Sequence, residues 1–235
     1  MKFDISAHQP FFRFAELDST QTYVSASIRD GEPISGCLTE SQTNGRGRFQ
    51  REWIAGPNSS LTTTLVFNAY KNHPEPHLIG MATAIAVANA FDAKLQWPND
   101  IVVGGKKLAG ILTEVIVGPD GDRRTIVGIG LNLGQTRFPT EIAFRATSLA
   151  IEGREVPTID EALQRVIASI HAVPEPDAWS ALRDHWDRRC ATQGKIFLLP
   201  GGDMALGVRV NEAACLECTV DQQTRVVSVG EALFG

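Results

Sequence analysis

Three short stretches of the 235-residue chain carry residue types that could do chemistry on an anion. The first is Gly45-Arg46-Gly47-Arg48-Phe49-Gln50-Arg51-Glu52-Trp53. Glycines set between arginines let the backbone approach an anion closely while guanidinium forks neutralise it, and Trp53 offers a flat face to a heterocycle. Read alone, the run could equally be a solvated basic loop or an RNA-binding segment of RGG type. The second is Trp97-Pro98-Asn99-Asp100, with Lys107 seven residues further on in Gly104-Gly105-Lys106-Lys107-Leu108-Ala109-Gly110. An aspartate and a lysine on the two arms of a tight β-turn can face one small volume. There the ammonium could hold a phosphate and an attacked carboxylate, and the aspartate a cation or that lysine. Taken singly, W-P-N-D is an ordinary turn and Lys106-Lys107 a solvated tip. The third is Gly128-Ile129-Gly130-Leu131-Asn132-Leu133, where glycines alternate with apolar residues and let a ligand lie against the backbone. No G-x-x-x-x-G-K-S/T occurs, so any ATP is held without a P-loop.

Holding these groups in place takes helices and strands together. Asp18-Ser19-Thr20 predicts the cap of a helix over Gln21 to Arg29, stopped by Asp30-Gly31. Ile34 to Glu40 reads as a strand, and Leu61 to Phe67 alternates apolar residues with threonine, as a half-buried strand does. Pro74 and Pro76 lead into a helix whose Leu78, Met81, Ile85 and Ala88 recur at steps of three and four. Strand character returns at Lys94 to Trp97, Asp100 to Val103, Gly110 to Val117 and Arg124 to Leu131, the last two joined by Pro119-Asp120-Gly121 as a hairpin. Thr158 and Glu161 predict a capping box for a helix with Leu163, Val166, Ile167 and Ile170 on one face. Asp177 is expected to cap the next, in which Leu182 and Trp186 share a side. Beyond about Arg189 short strands and glycine turns take over. Paired strands with helices gathered elsewhere predict an α+β fold with a mixed or antiparallel sheet. The expected division is a main domain, 1–189, and a small β domain, 190–235, packed on it.

Composition narrows the classes. With 27 acidic against 22 basic residues the formal charge is -5, which disfavours a chain built to grip nucleic acid. The most apolar stretch, Leu78 to Phe91, is shorter than the roughly 20 residues needed to cross a bilayer. Without a signal-peptide core at the N-terminus, the expected location is cytoplasmic, with no membrane partner. Four scattered cysteines do not make a secreted disulfide framework. Cys215 and Cys218 form a C-x-x-C, but residues three apart on a strand point to opposite faces, which disfavours a zinc or redox site. His73 and His77 flank Pro74 and Pro76, unlike a helical metal-binding pair.

In this order and at these spacings, the motifs resemble the biotin protein ligase family, in its monofunctional form. Its G-R-G-R-x-x-R-x-W loop stands here as GRGRFQREW, its K-W-P-N-D as QWPND, its K-L-A-G-I-L at 107–112 and its G-x-G-x-N as GIGLN at 128–132. The opening D-S-T is Asp18-Ser19-Thr20, and Glu40-Ser41-Gln42 precedes the arginine loop. The resemblance covers roughly residues 14–134, with the tail matching more loosely. It implies a biotin/lipoate ligase fold of class II synthetase type with an SH3-like C-terminal β domain. The implied enzyme condenses biotin with ATP into biotinyl-5′-AMP. It then passes biotin to a lysine of a biotin carboxyl carrier protein domain in a biotin-dependent carboxylase. By motif match, Ser19, Thr20 and Gln42 hold the ureido head of biotin, helped by backbone near Arg46 and Gly110, while Gly128 and Gly130 line its ring. Lys107 meets the carboxylate and α-phosphate as they join, and Arg48 clamps the phosphate or adenylate. Arg51 joins the nucleotide-binding set, Trp53 and Asn132 hold adenine, and Asp100 organises Mg²⁺ or Lys107. No residue is a certain metal ligand.

Three departures stand out from the family pattern: Phe49-Gln50 for the commoner Arg-Gly, Gln96 for lysine, and Gln21 for asparagine. They are expected to leave the chemistry intact and to affect loop closure and adenylate retention. The ligase signature begins about 18 residues from Met1, so no N-terminal helix-turn-helix and no DNA partner are expected; a homodimer stays open. Two rival readings are a lipoate or octanoate ligase of related fold and a non-catalytic RNA-binding module. The G-R-G-R loop with W-P-N-D weighs against the first, and the net charge with Lys107 and Asp100 against the second.

Overall fold

Seven strands form the main layer of the computed structural model, which describes residues 9–199 and 202–229. They are β1 (Phe11–Leu17), β2 (Gly36–Gln42), β3 (Ser60–Val66), β4 (Lys94–Gln96), β5 (Asp100–Val103), β6 (Lys106–Val117) and β7 (Arg123–Asn132), in the order β1-β2-β3-β7-β6-β5-β4. Only β1 and β2 run parallel; the other neighbours are antiparallel. The fold is α+β with a mixed sheet, as the succession of paired strands predicts.

β3 departs from the half-buried expectation, for every one of its residues is buried. Its threonines tolerate this because β2 satisfies them: Thr62 Oγ1 donates to Thr39 O and Thr63 Oγ1 to Cys37 O, both at 2.8 Å. β1 has no counterpart among the predicted elements. It is an edge strand whose Phe11 and Phe12 are exposed, so no inward-outward alternation marks it in the sequence.

Helix α1 (Thr20–Arg29) starts at Ser19, whose hydroxyl accepts from Thr22 N at 3.4 Å. Helix α2 (Pro76–Ala90) has every residue from Leu78 to Ala88 buried, so it is a central helix rather than one with a single apolar stripe. A Cβ at Gly80 would overlap the Thr113 side chain, and this glycine lets α2 lie close on β6. Helices α3 (Thr140–Ala143), α4 (Ile159–Ile170) and α5 (Trp179–Asp187) follow. The Thr158–Glu161 capping box forms at α4. The expected Asp177 cap does not: α5 begins after Ala178, without a side-chain cap. Burial of Trp179 against Trp186, edge to face at 5.9 Å, fixes the start of that helix instead. None of the helices among the described residues is long and apolar enough to cross a membrane.

The tail forms a second, antiparallel sheet of β8 (Ile196–Leu198), β9 (Met204–Val210), β10 (Leu216–Val220) and β11 (Gln223–Val227), in the order β11-β10-β9-β8. Its inner residues Phe197, Val210, Leu216 and Val227 share one core with α2 and Trp97. Cys218 is buried in β10, its thiol toward Arg225 O, while Cys215 sits in the preceding turn with its thiol toward Ala213 O. The tail also grips the turn before β5. Trp97 Nε1 donates to Ala214 O and Trp97 N to Thr192 Oγ1, both at 2.9 Å. Two buried hydrogen bonds thus anchor the stretch that delivers Asn99 and Asp100.

Candidate active site

Strand register builds the floor of the site. Thr62 stands opposite Gly130 and Thr64 opposite Gly128, while on the other side of β7 Gly110 faces Gly130 and Leu112 faces Gly128. Residues two apart on a strand share a face, so these six positions tile one patch of three strands. Glycine at three of them leaves the patch without side chains in its middle. It opens a cavity of about 680 Å³, a size typical of small-molecule sites. All thirteen residues expected at the site line this cavity: Ser19, Thr20, Gln42, Arg46, Arg48, Arg51, Trp53, Asp100, Lys107, Gly110, Gly128, Gly130 and Asn132.

One end is neutral and polar. Thr20 donates from both its backbone N (2.9 Å) and Oγ1 (3.1 Å) to Gln42 Oε1. The Thr64 hydroxyl lies 2.9 Å from Thr20 Oγ1 and 3.0 Å from Gln21 Oε1, and Gln21 Nε2 donates to Leu112 O. A Cβ at Gly128 would press on Gln21 Oε1, so the longer side chain at position 21 crosses the floor beside that glycine.

The other end is charged. Lys107 Nζ and Asp100 Oδ1 form an ion pair at 2.6 Å across the β5–β6 hairpin, the two-armed arrangement expected of their spacing. Lys107 is held from its outer side as well, its N donating to Arg145 O (2.7 Å) and its O accepting from Thr147 N (2.9 Å).

The arginine loop closes on itself, with Trp53 N donating to Gly45 O and Gly47 N to Arg51 O. Arg46 makes a two-pronged bond to Glu114 on β6, at 3.0 and 3.1 Å. Arg48 donates to Val229 O at 2.6 Å and contacts Asn99 Oδ1 at 3.4 Å, so its guanidinium is tied to the C-terminal sheet's last segment. Burial lowers the pKa of Arg48, opposed by the charge of Asp100, and burial with the neighbouring Arg145 lowers that of Arg51. Phe49, at one of the departures, adopts a left-handed φ of 58°, and the Arg48 guanidinium lies 5.0 Å from its ring centroid.

Trp53 and Asn132, the residues expected at adenine, both line the cavity and both rest against the protein. Trp53 lies across the glycine floor, where a Cβ at Gly130 would overlap its ring, with Lys107 Nζ 5.8 Å from the ring centroid. Its Nε1 is buried without a hydrogen-bond partner among the described residues. Asn132 lines the cavity, but its amide donates to Thr147 O and accepts from Gln135. Sequence reasoning missed Arg145, Lys195, Thr62 and Thr64 in the lining and Glu114 behind it. The threonines could have been found by pairing β3 with the glycine strand. Arg145 and Lys195 come from segments without any motif. Among the described residues, no three His, Cys, Asp or Glu side chains gather closely enough to hold a metal ion.

A family model described as the biotin/lipoate A/B protein ligase family matches residues 13–132, half of the chain. A biotin acetyl-CoA-carboxylase ligase of Mycobacterium tuberculosis is 28% identical over 237 residues, covering 93% of this chain and 86% of its own. The bifunctional ligase/repressor BirA of Bacillus spizizenii is 34% identical over 143 residues, 57% of this chain. The match spans 44% of that relative, less than half its length. Among solved structures, a biotin protein ligase from Aquifex aeolicus in complex with biotin and ATP superposes with a TM-score of 0.71 at 23% identity. The superposition covers 95% of this chain and 98% of that one, a likeness of fold.

Proposed function

The chain belongs to the biotin/lipoate A/B protein ligase family, and from that premise we propose that it activates biotin with ATP and transfers it to a lysine of a biotin carboxyl carrier protein domain. One observation carries the reading. A single cavity runs from a hydroxyl-and-amide pocket, over a glycine floor, to a lysine–aspartate pair. Biotin has that sequence of parts: a urea head, an apolar bicycle and a chain ending in a carboxylate. The full-length likeness to a biotin ligase, and the binding of biotin and ATP by a protein of the same fold, support it.

In the first step a carboxylate oxygen attacks the α-phosphorus of ATP, the bond to the bridging oxygen breaks, and pyrophosphate leaves with that electron pair. Lys107 lies where both reacting groups bring negative charge and offsets it as the new bond forms. Asp100 keeps that ammonium in place. Ser19, Thr20 and Gln42 hold the urea head, aided by backbone near Arg46 and Gly110, which fixes the distance from head to carboxylate. Trp53 leaves Gly130 as the acid enters and turns its ring to adenine beside Asn132, while Arg48 and Arg51 close on the adenylate. In the second step a neutral lysine amine attacks the acyl carbon, the bond to the phosphate oxygen breaks, AMP departs with that electron pair, and the new amide nitrogen gives up a proton to solvent.

Mg²⁺, which asks of a protein only one or two carboxylates, would screen the phosphates; among the described residues Asp100 and Glu52 are the carboxylates that line the cavity. The catalytic domain of this reading is 1–189, and 190–235 is a small SH3-like β domain. A lipoyl group would leave the Thr20–Gln42 pocket without a polar partner, at a cost in affinity. Mixing the protein with MgATP and either biotin or lipoate tests the reading. Biotinyl-AMP by mass, with pyrophosphate released, is the expected result; lipoyl-AMP alone, or no acyl-AMP, contradicts it.

A further inference from the structure

Two strands of the small sheet, β8 and β9, are apolar on their exposed side. Ile196 and Leu198 of β8 stand directly opposite Leu206 and Met204 of β9. These four are 58, 38, 47 and 61% exposed, and Val208 follows along β9 at 40%. Their alternates Phe197, Ala205 and Gly207 are buried. A half-buried antiparallel sheet ordinarily turns polar residues outward, and a contiguous apolar strip that stays exposed marks an interaction surface.

The strip's position says what it meets. Its first residue, Ile196, lines the active-site cavity together with Lys195, whose Nζ reaches over to Gly105 in the β5–β6 turn. Phe49 of the arginine loop and Ile54 just after it are exposed apolar residues that line it too, whereas Phe11 and Phe12 on the edge strand and Val117 at the hairpin tip do not. Transfer requires a macromolecule to bring a lysine amine into that cavity. A lysine stem is only four carbons long, so the acceptor's backbone must settle on the surface around the mouth. The cavity is also cationic. Among the described residues, Arg46, Arg48, Arg51, Lys107, Arg145 and Lys195 line it against two carboxylates, Glu52 and Asp100. A second copy seated on the strip would close the mouth that the acceptor has to reach.

We propose that the exposed face of β8 and β9, together with the cationic rim at Lys195, is the docking surface for the acceptor. The partner it fits is a folded domain that presents its lysine between an apolar patch and acidic side chains. Apolar centre and polar rim is the ordinary make-up of such a contact. The proposal rests on the ligase reading above, which pyrophosphate release by the unaltered protein tests by itself.

The experiment compares Leu206→Glu and Met204→Glu with Val117→Glu as an exposed control. Three rates are measured: pyrophosphate release with biotin and MgATP, biotin transfer to hydroxylamine, and transfer to a purified, unmodified biotin carboxyl carrier domain. The two face variants should keep the first two rates, while KM for the carrier domain rises about tenfold, the loss typical of a central interface contact. Val117→Glu should change none of them. An unchanged KM for the carrier domain overturns the proposal. Loss of all three rates also overturns it, since the face would then serve the site or the fold. So does a change in self-association, by sedimentation, without a change in that KM.

Discussion

The floor and the loop of the site are built on opposite principles. The floor, at Thr62, Thr64, Gly110, Gly128 and Gly130, is held by ladder pairing of β3, β6 and β7 and acts through the side chains it lacks. The loop from Gly45 to Trp53 is held by side chains that each have a partner to lose: Arg46 on Glu114, Arg48 on Val229 and Asn99, Trp53 on the floor itself. A ladder cannot shift one residue without inverting every neighbour, whereas a loop tied by a few polar contacts can open and close at small cost. In the proposed reaction, shape for the acid therefore lies in the rigid part, and retention of the reactive adenylate in the movable part.

Breaking the fixed side should cost most. Lys107→Ala removes the charge at the joining oxygens and should slow pyrophosphate release about 10²- to 10³-fold; a normal rate contradicts the assignment. Gly130→Ala puts a methyl where the Trp53 ring, and in turn the acid, must lie. Calorimetry should show biotin binding weakened about ten- to hundredfold, the range for overfilling a packed site. The movable side should fail differently. Arg48→Gly cuts the ties to Val229 and Asn99, so adenylate should still form but escape and label bystander lysines; labelling confined to the acceptor domain contradicts the clamp. Glu114→Gln unties Arg46 only, and as a half-exposed pair it should raise KM for biotin about two- to fivefold with kcat unchanged.

The same contrast explains what could be read from the chain. The glycines of the floor were legible because glycines in period two on a strand leave few readings, and Lys107 with Asp100 because a short hairpin forces its arms together; Thr62 and Thr64 were not, since their place depends on which strand β3 pairs with. β1 was not, since the adjacent Phe11 and Phe12 are both exposed and leave no alternation. Spacing in α2 suggested one apolar face, while burial from both the sheet and α4 surrounds it. Asp177 looked like a cap, but packing of Trp179 decided where α5 begins. Arg145, Lys195 and Glu114 reach the site through tertiary packing alone, and nothing local sets them apart from other surface charges. The resting place of Trp53 belongs with these, because an aromatic beside a basic loop says nothing of which wall it lies on.

The most direct test is a crystal structure of the protein with biotinyl-5′-AMP. The urea head is predicted between Thr20 and Gln42, the phosphate within hydrogen-bond reach of both Lys107 Nζ and Arg48, and the Trp53 ring lifted from Gly130. An adenylate bound elsewhere, or one with Arg48 still on Val229 and Trp53 still on Gly130, would contradict the account.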